Sequence, residues 1–239
     1  MNYKMVLKVL GNVLLFESIL LLIPLGISLA YGDGDSFSFL TTIILMMPIA
    51  LLLRRIEVKE KGIYAKEGFL TVGLTWIVIA AFGALPFVIS GAMPSFIDAF
   101  FETVSGFTTT GATILTEIES LPKGILFWRS FTHWIGGMGF LIFILALAPS
   151  LGSNTIYLLR AESPGPNPGK IVPKISETAK ILYIIYFILT IIQTILLMAS
   201  GLSAYDAIIH ALGTAGTGGF SNMNTSIAAF ASPSVEWII

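Results

Sequence analysis

Long uncharged apolar stretches alternate with short polar ones along the 239-residue chain: Phe37 to Leu53, Gly68 to Ile97, Ser130 to Leu159 and Ile181 to Tyr205. Most of these can cross ~30 Å of hydrocarbon, which takes ~20 helical residues. A further run, Val9 to Gly32, is broken only by Glu17. The pattern predicts an all-α polytopic membrane protein. The first run is expected to be a span and not a cleaved leader, because it is long. Glu17 would be costly against lipid, so it is expected to face protein or to snorkel. Pro24 and Gly26 are expected to kink the same span.

Composition agrees with the pattern. The chain is 55% hydrophobic and 11% charged, against about 25% charged in soluble proteins. Cysteine is absent, which removes a disulfide framework and any thiolate metal site. Charge becomes informative once divided by membrane side. With the amino terminus inside and spans alternating, all of the 13 basic residues except Lys123 and Arg129 fall on the cytoplasmic side, as the positive-inside rule requires. Asp33, Asp35, Asp98, Glu102, Glu117, Glu119, Asp206 and Glu236 fall on or near the outer side. Carboxylates there would concentrate cations at an outer mouth, or they simply remain where lysines are excluded.

A repeat is visible at an offset of 108 residues, where Ser95-Phe-Ile-Asp-Ala-Phe-Phe101 aligns with Ser203-Ala-Tyr-Asp-Ala-Ile-Ile209. Both copies read Ser-x-x-Asp, close to a capping box, so Ser95 and Ser203 are expected to cap helices whose first turns carry Asp98 and Asp206. Only about 10 residues, roughly 15 Å of helix, lead from each cap to a glycine-rich stretch. That is half a bilayer, so each helix is expected to enter from outside and turn back. Irregular backbone survives at that depth only where it is buried in protein or lines water.

The two glycine-rich stretches are Phe107-Thr-Thr-Thr-Gly-Ala-Thr113 and Ala215-Gly-Thr-Gly-Gly-Phe-Ser221. At the same offset Thr108 meets Gly216, Thr109 meets Thr217, Thr110 meets Gly218, and Gly111 meets Gly219; Ala112 then meets Phe220 and Thr113 meets Ser221. Glycine allows backbone angles that turn carbonyls toward a common axis, and bare carbonyls in a membrane hold dehydrated cations. The short helices also aim their negative ends at the membrane centre. The competing expectation is a pair of helix-packing loops in a non-conducting scaffold or assembly subunit.

These loops resemble the first and second selectivity-filter segments of the Trk/Ktr superfamily of potassium uptake proteins, membrane subunit of Trk type. Phe127-Trp-Arg-Ser-Phe-Thr-His-Trp-Ile-Gly-Gly-Met-Gly139, Arg160-Ala-Glu-Ser-Pro-Gly-Pro166 and Lys174-Ile-Ser-Glu-Thr-Ala179 also match. The resemblance implies helix–pore-loop–helix repeats of potassium-channel type, four around one pore, preceded by a two-helix hairpin. It implies a K+ filter of main-chain oxygens at Thr109, Thr110, Gly111, Thr217, Gly218 and Gly219. Thr108, Ala112, Thr113, Gly216, Phe220 and Ser221 would support it. It further implies cell-membrane localisation, a homodimer of full-length subunits, and cytosolic nucleotide-binding regulatory subunits. K+ would be the cargo, with no other cofactor, and lipid the surrounding partner; nothing suggests nucleic acid.

The expected organisation is a hairpin and cytoplasmic loop at 1–67, a first repeat at 68–150, a connector at 151–178 and a second repeat at 179–239. Asn222 to Ile239 parallels the outer linker Ile114 to Arg129, and Trp237 falls one residue from register with Trp128. The second repeat is therefore expected to lack its closing helix and the chain to be an amino-terminal half, completed by repeats three and four or by a second subunit. A pore assembled from two half-length copies is an alternative.

Enzymatic signatures are missing: there is no phosphate-binding loop ending in Lys-Ser/Thr, no His-Glu-x-x-His, and no strand-borne nucleophile turn. His133 precedes closely spaced glycines and reads as structural. His210, in register with Glu102, is expected to steady its short helix through a hydrogen bond. Arg129 is a candidate partner for Glu102 or another outer acid. Pro164-Gly-Pro-Asn-Pro-Gly169 reads as a cytoplasmic hinge loop.

Overall fold

A computed structural model describes residues 2–58, 65–137, 139 and 175–239, and its elements are helical. In chain order they are α1 (Tyr3–Leu20), α2 (Leu22–Tyr31), α3 (Ser36–Arg54), α4 (Ala65–Gly83), α5 (Leu85–Ile89), α6 (Phe96–Phe107) and α7 (Lys123–Gly137). They continue with α8 (Ile175–Ala199), α9 (Ala204–Ala215), a 3-10 turn at Ser226–Phe230 and α10 (Pro233–Ile238). Four helical stretches among the described residues are long and apolar enough to cross a membrane: Tyr3–Tyr31, Ser36–Arg54, Glu67–Ile89 and Lys180–Ala199. The hinge loop at 164–169 and most of the Ser130 to Leu159 run lie outside the described residues.

The apolar runs and the helices do not share ends. The run Gly68 to Ile97 outlasts its span, which stops at Ile89; Ser90–Ser95 form a turn, and Phe96 and Ile97 already belong to α6. Apolarity marks the membrane, not the helix, so the run continues through a turn of which only Met93 is buried. The first span is interrupted at Leu21, between α1 and α2. Pro24 has no amide, and its ring opposes the carbonyl four residues earlier, that of Leu20.

α1 packs on α3 and α4, and α2 on α7. Gly11 lets the first pair approach closely, since a Cβ there would lie 2.7 Å from Leu53 Cβ and 3.0 Å from the Ala50 carbonyl. Glu17 is wholly buried, its carboxylate beside Gly83 of α4 and facing away from lipid. The turn between α2 and α3 then reaches the rest of the molecule. Asp33 accepts from the Lys123 amide at 2.9 Å, and Asp35 from the Ile125 amide at 3.1 Å. These two carboxylates satisfy the open amino end of α7. Ser28 donates to Asp35 as well. Gly124 makes room, because a Cβ there would strike the Asp35 carboxylate.

α7 is the centre of the fold. It packs on α6 and α9, and Trp128, fully buried, donates through its indole to the Gly83 carbonyl at 2.9 Å. α8 runs beside α9 and shows lipid-compatible side chains outward, including Ile184, Ile188, Ile191 and Ile195.

Candidate functional site

α6 and α9 are copies in structure as well as in sequence. Each has 12 residues, about 18 Å at 1.5 Å per residue, too short to cross. Ser95 accepts from the Asp98 amide at 3.4 Å, and Ser203 from the Asp206 amide at 3.2 Å. At the carboxyl ends the closures share two equivalent bonds. Thr109 N donates to Gly106 O at 3.0 Å and Thr110 N to Ser105 O at 2.9 Å. In the second copy Thr217 N donates to Thr214 O at 2.8 Å and Gly218 N to Gly213 O at 3.0 Å. Each pair is a Schellman closure, which normally places glycine at the left-handed position.

Here that position holds threonine. Thr109 has φ +55° and Thr217 φ +58°, a conformation costly for a β-branched residue. Gly111 and Gly219 follow at +74° and +83°. Alternating left-handed residues at 109 and 111, and again at 217 and 219, rotate successive peptides so that carbonyls do not follow one ladder. Strain stored twice at equivalent places points to function.

The loops touch. A Cβ on Gly111 would overlap the Gly218 carbonyl, so only glycine fits there. Thr108 donates to Val104 O at 2.7 Å, and its hydroxyl lies 2.8 Å from that of Thr110. Ser105 donates to Ala112 O at 2.6 Å. In the second copy Gly213 and Phe220 replace that pair, and the ring of Phe220 turns inward, nearly fully buried. It lies between the Arg129 guanidinium, 3.7 Å from its centroid, and the His133 ring at 3.9 Å. Gly216 is pressed against the His133 main chain.

Outside the turns, each loop is bolted to its own helix from the same position. Glu102 accepts from Thr113 Oγ1 at 2.8 Å and Ile114 N at 3.2 Å. Its counterpart His210 contacts Ser221 Oγ at 2.9 Å through Nε2, and Asp206 O at 2.8 Å through Nδ1. A carbonyl only accepts, so Nδ1 carries the proton and Ser221 donates to Nε2. Asn222 donates to Asp206 Oδ1 at 2.7 Å. Arg129 joins the two systems: its Nε pairs with Glu102 at 2.6 Å and its Nη1 donates to Ser221 O at 2.8 Å. Both ionic side chains are buried.

This geometry narrows the reading of the outer acids. Glu102 is neutralised by Arg129, Asp33 and Asp35 cap α7, and Glu119 accepts from Asn224 N at 3.0 Å. Glu102 is thus spent on an ion pair, while the other three keep their charge and have structural partners as well. His133 and Arg129 are the residues whose place at the second loop sequence reasoning missed. Their helical spacing of four put them on one face of α7, but nothing local showed which loop that face meets.

The described residues contain no group of three or more His, Cys, Asp or Glu suited to a metal ion. The polar groups that the two loops carry are instead neutral carbonyls and hydroxyls.

Comparison with known proteins follows the same lines. The potassium uptake protein TrkH of Escherichia coli K12 is 41% identical over 242 residues, covering 100% of this chain and 50% of that protein. TrkG of the same organism is 33% identical over 241 residues. The crystal structure of the potassium transporter TrkH from Vibrio parahaemolyticus superposes with a TM-score of 0.79 at 34% identity, covering 100% of this chain and 48% of that one. The chain thus spans about half the length of the relatives it matches. A family model described as TrkH, a cation transport protein, matches residues 36–239. This membrane protein belongs to the TrkH family.

Proposed function

We propose that the chain supplies two quarters of a potassium pore, with carbonyls of Thr109, Thr110, Gly111, Thr217, Gly218 and Gly219 replacing water around K+. The observation that carries this reading is the pair of matching turns: two half-membrane helices closed alike, strained at the same threonine, with Gly111 seated on the Gly218 carbonyl. The carboxyl ends of α6 and α9 add a negative potential that favours a cation at the loops. Thr108, Ala112, Thr113, Gly216, Phe220 and Ser221 hold the loops, and Ser95, Asp98, Ser203 and Asp206 cap the helices.

In this reading residues 1–67 form a bracing hairpin, 68–150 the first repeat, 151–178 a cytoplasmic connector and 179–239 part of the second. The amino terminus is cytoplasmic in the cell membrane, which agrees with the side on which the lysines and arginines fall. Repeats three and four, or a second subunit, supply the other loops. The full-length protein forms a homodimer and docks nucleotide-binding subunits on its cytoplasmic face. Its work is transport and not catalysis.

The test is uptake in a strain lacking its own potassium uptake, using the full-length protein. Gly111→Ser and Gly219→Ser should each erode discrimination between K+ and Na+. Unchanged selectivity in both removes the filter assignment. A scaffold role predicts that alanine at either glycine leaves uptake intact.

A further inference from the structure

The ring of His133 is not required by the helix that carries it. It is 0% exposed, stacked 3.9 Å from Phe220 at 30° between planes, and its Nδ1 receives the Phe220 amide at 3.4 Å. Accepting that amide requires a bare Nδ1, so the proton sits on Nε2. Nε2 is buried beside Gly218 and makes no hydrogen bond of full geometry, the Ser105 main chain being the other polar group beside the ring. A buried donor held so loosely is a cost that a packing residue would shed. A leucine would fill the same space without it.

What the ring does is hold one peptide. The Gly219–Phe220 peptide carries both the Phe220 amide on His133 and the carbonyl of Gly219, on opposite edges of one plane. Fixing the amide edge therefore fixes where the carbonyl points. The first loop is fastened differently and one peptide further on, through the Ser105 hydroxyl on Ala112 O, and Gly213 stands where that serine would be.

We propose that His133 is a positioning residue for ion selectivity, acting through the Phe220 amide to aim the Gly219 carbonyl. The assignment rests on the filter reading above. It places the specificity of the second loop partly on α7, 87 residues away in sequence.

The experiment compares three variants of the full-length protein by K+ and Na+ uptake. His133→Asn keeps an acceptor at the place of Nδ1 and should hold discrimination within about twofold, since the hydrogen bond survives. His133→Gln puts its amide at the place of Nε2, and His133→Leu has none. Both should raise the Na+-to-K+ uptake ratio, by up to about tenfold for a lost hydrogen bond. Membrane abundance and elution profile are followed beside uptake, because a packing defect lowers both ions together and leaves the ratio alone. Unchanged ratios in Gln and Leu overturn the proposal, as does an Asn variant that loses discrimination equally. Gly219→Ser is run in parallel. If it loses selectivity while Gln and Leu keep theirs, only the His133 role fails; if it keeps selectivity, the filter reading itself fails.

Discussion

The loop after α6 is tied from within its own repeat, by Ser105 on Ala112 and by Glu102 on Thr113 and Ile114. The loop after α9 repeats the two left-handed positions and is likewise tied to its own helix by His210, but it also leans on its neighbour: Arg129 and His133 of the first repeat clamp Phe220, and Arg129 also holds the Ser221 carbonyl. The difference shows how like turns can be built from unlike residues. Backbone shape is shared because the Schellman closure and two left-handed positions dictate it. The bracing is free to vary, and it has moved from a serine inside the short helix to the face of α7. The second loop is thereby made dependent on the first repeat, so the two are one unit.

Breaking that dependence should have the largest effect. Glu102→Gln or Arg129→Met leaves one buried charge or its polar partners unsatisfied and should cost about 3–5 kcal/mol in the purified full-length protein. The double variant Glu102→Gln with Arg129→Met should cost clearly less than the two singles added together. Thermal unfolding in detergent measures it, and simple additivity would mean the loops are not coupled through this pair.

Next comes the contrast between the two glycines. Both sit at positive φ, so alanine strains each by about 1–2 kcal/mol. Gly111→Ala also drives a methyl into the Gly218 carbonyl, while a Cβ on Gly219 meets nothing within 4 Å among the described residues. Overpacking adds about 1–3 kcal/mol, so Gly111→Ala should be the more damaging in unfolding measurements; equal effects would argue against the described contact.

Smaller changes sharpen the comparison. Ser105→Ala should cost about 1 kcal/mol and loosen only the first loop, and Ser221→Ala about the same and only the second. Hydrogen exchange of the loop amides separates the two. Smallest of all, Thr109→Gly and Thr217→Gly should each stabilise by up to about 1 kcal/mol, since glycine is at ease in the left-handed position. Equal gains would show that the two turns store equal strain.

What could be read along the chain was whatever is local. The serine caps, the half-membrane length and the paired glycines each need only a dozen adjacent residues, and the pairing at one offset made them visible. The break at Leu21 was displaced from Pro24, because proline disturbs the carbonyl four residues before it. The end of the third span, at Ile89, was hidden by apolar residues that continue through the following turn. Partnerships across long separations were not legible. Glu102 with Arg129 could be guessed from opposite charge, but Asp33 and Asp35 capping α7, 90 residues away, could not. Nor could His133 under Phe220, since that depends on which face of α7 meets α9.

The central claim is that carbonyls of both loops hold one dehydrated cation, and heavy-ion crystallography of the full-length protein tests it most directly. Crystals soaked in Rb+ or Tl+ should show anomalous scattering on the axis between the loops, within coordination reach of main-chain oxygens from Thr109 to Gly111 and from Thr217 to Gly219. An actively transporting preparation with its ordered ions elsewhere, and none between these loops, would contradict it.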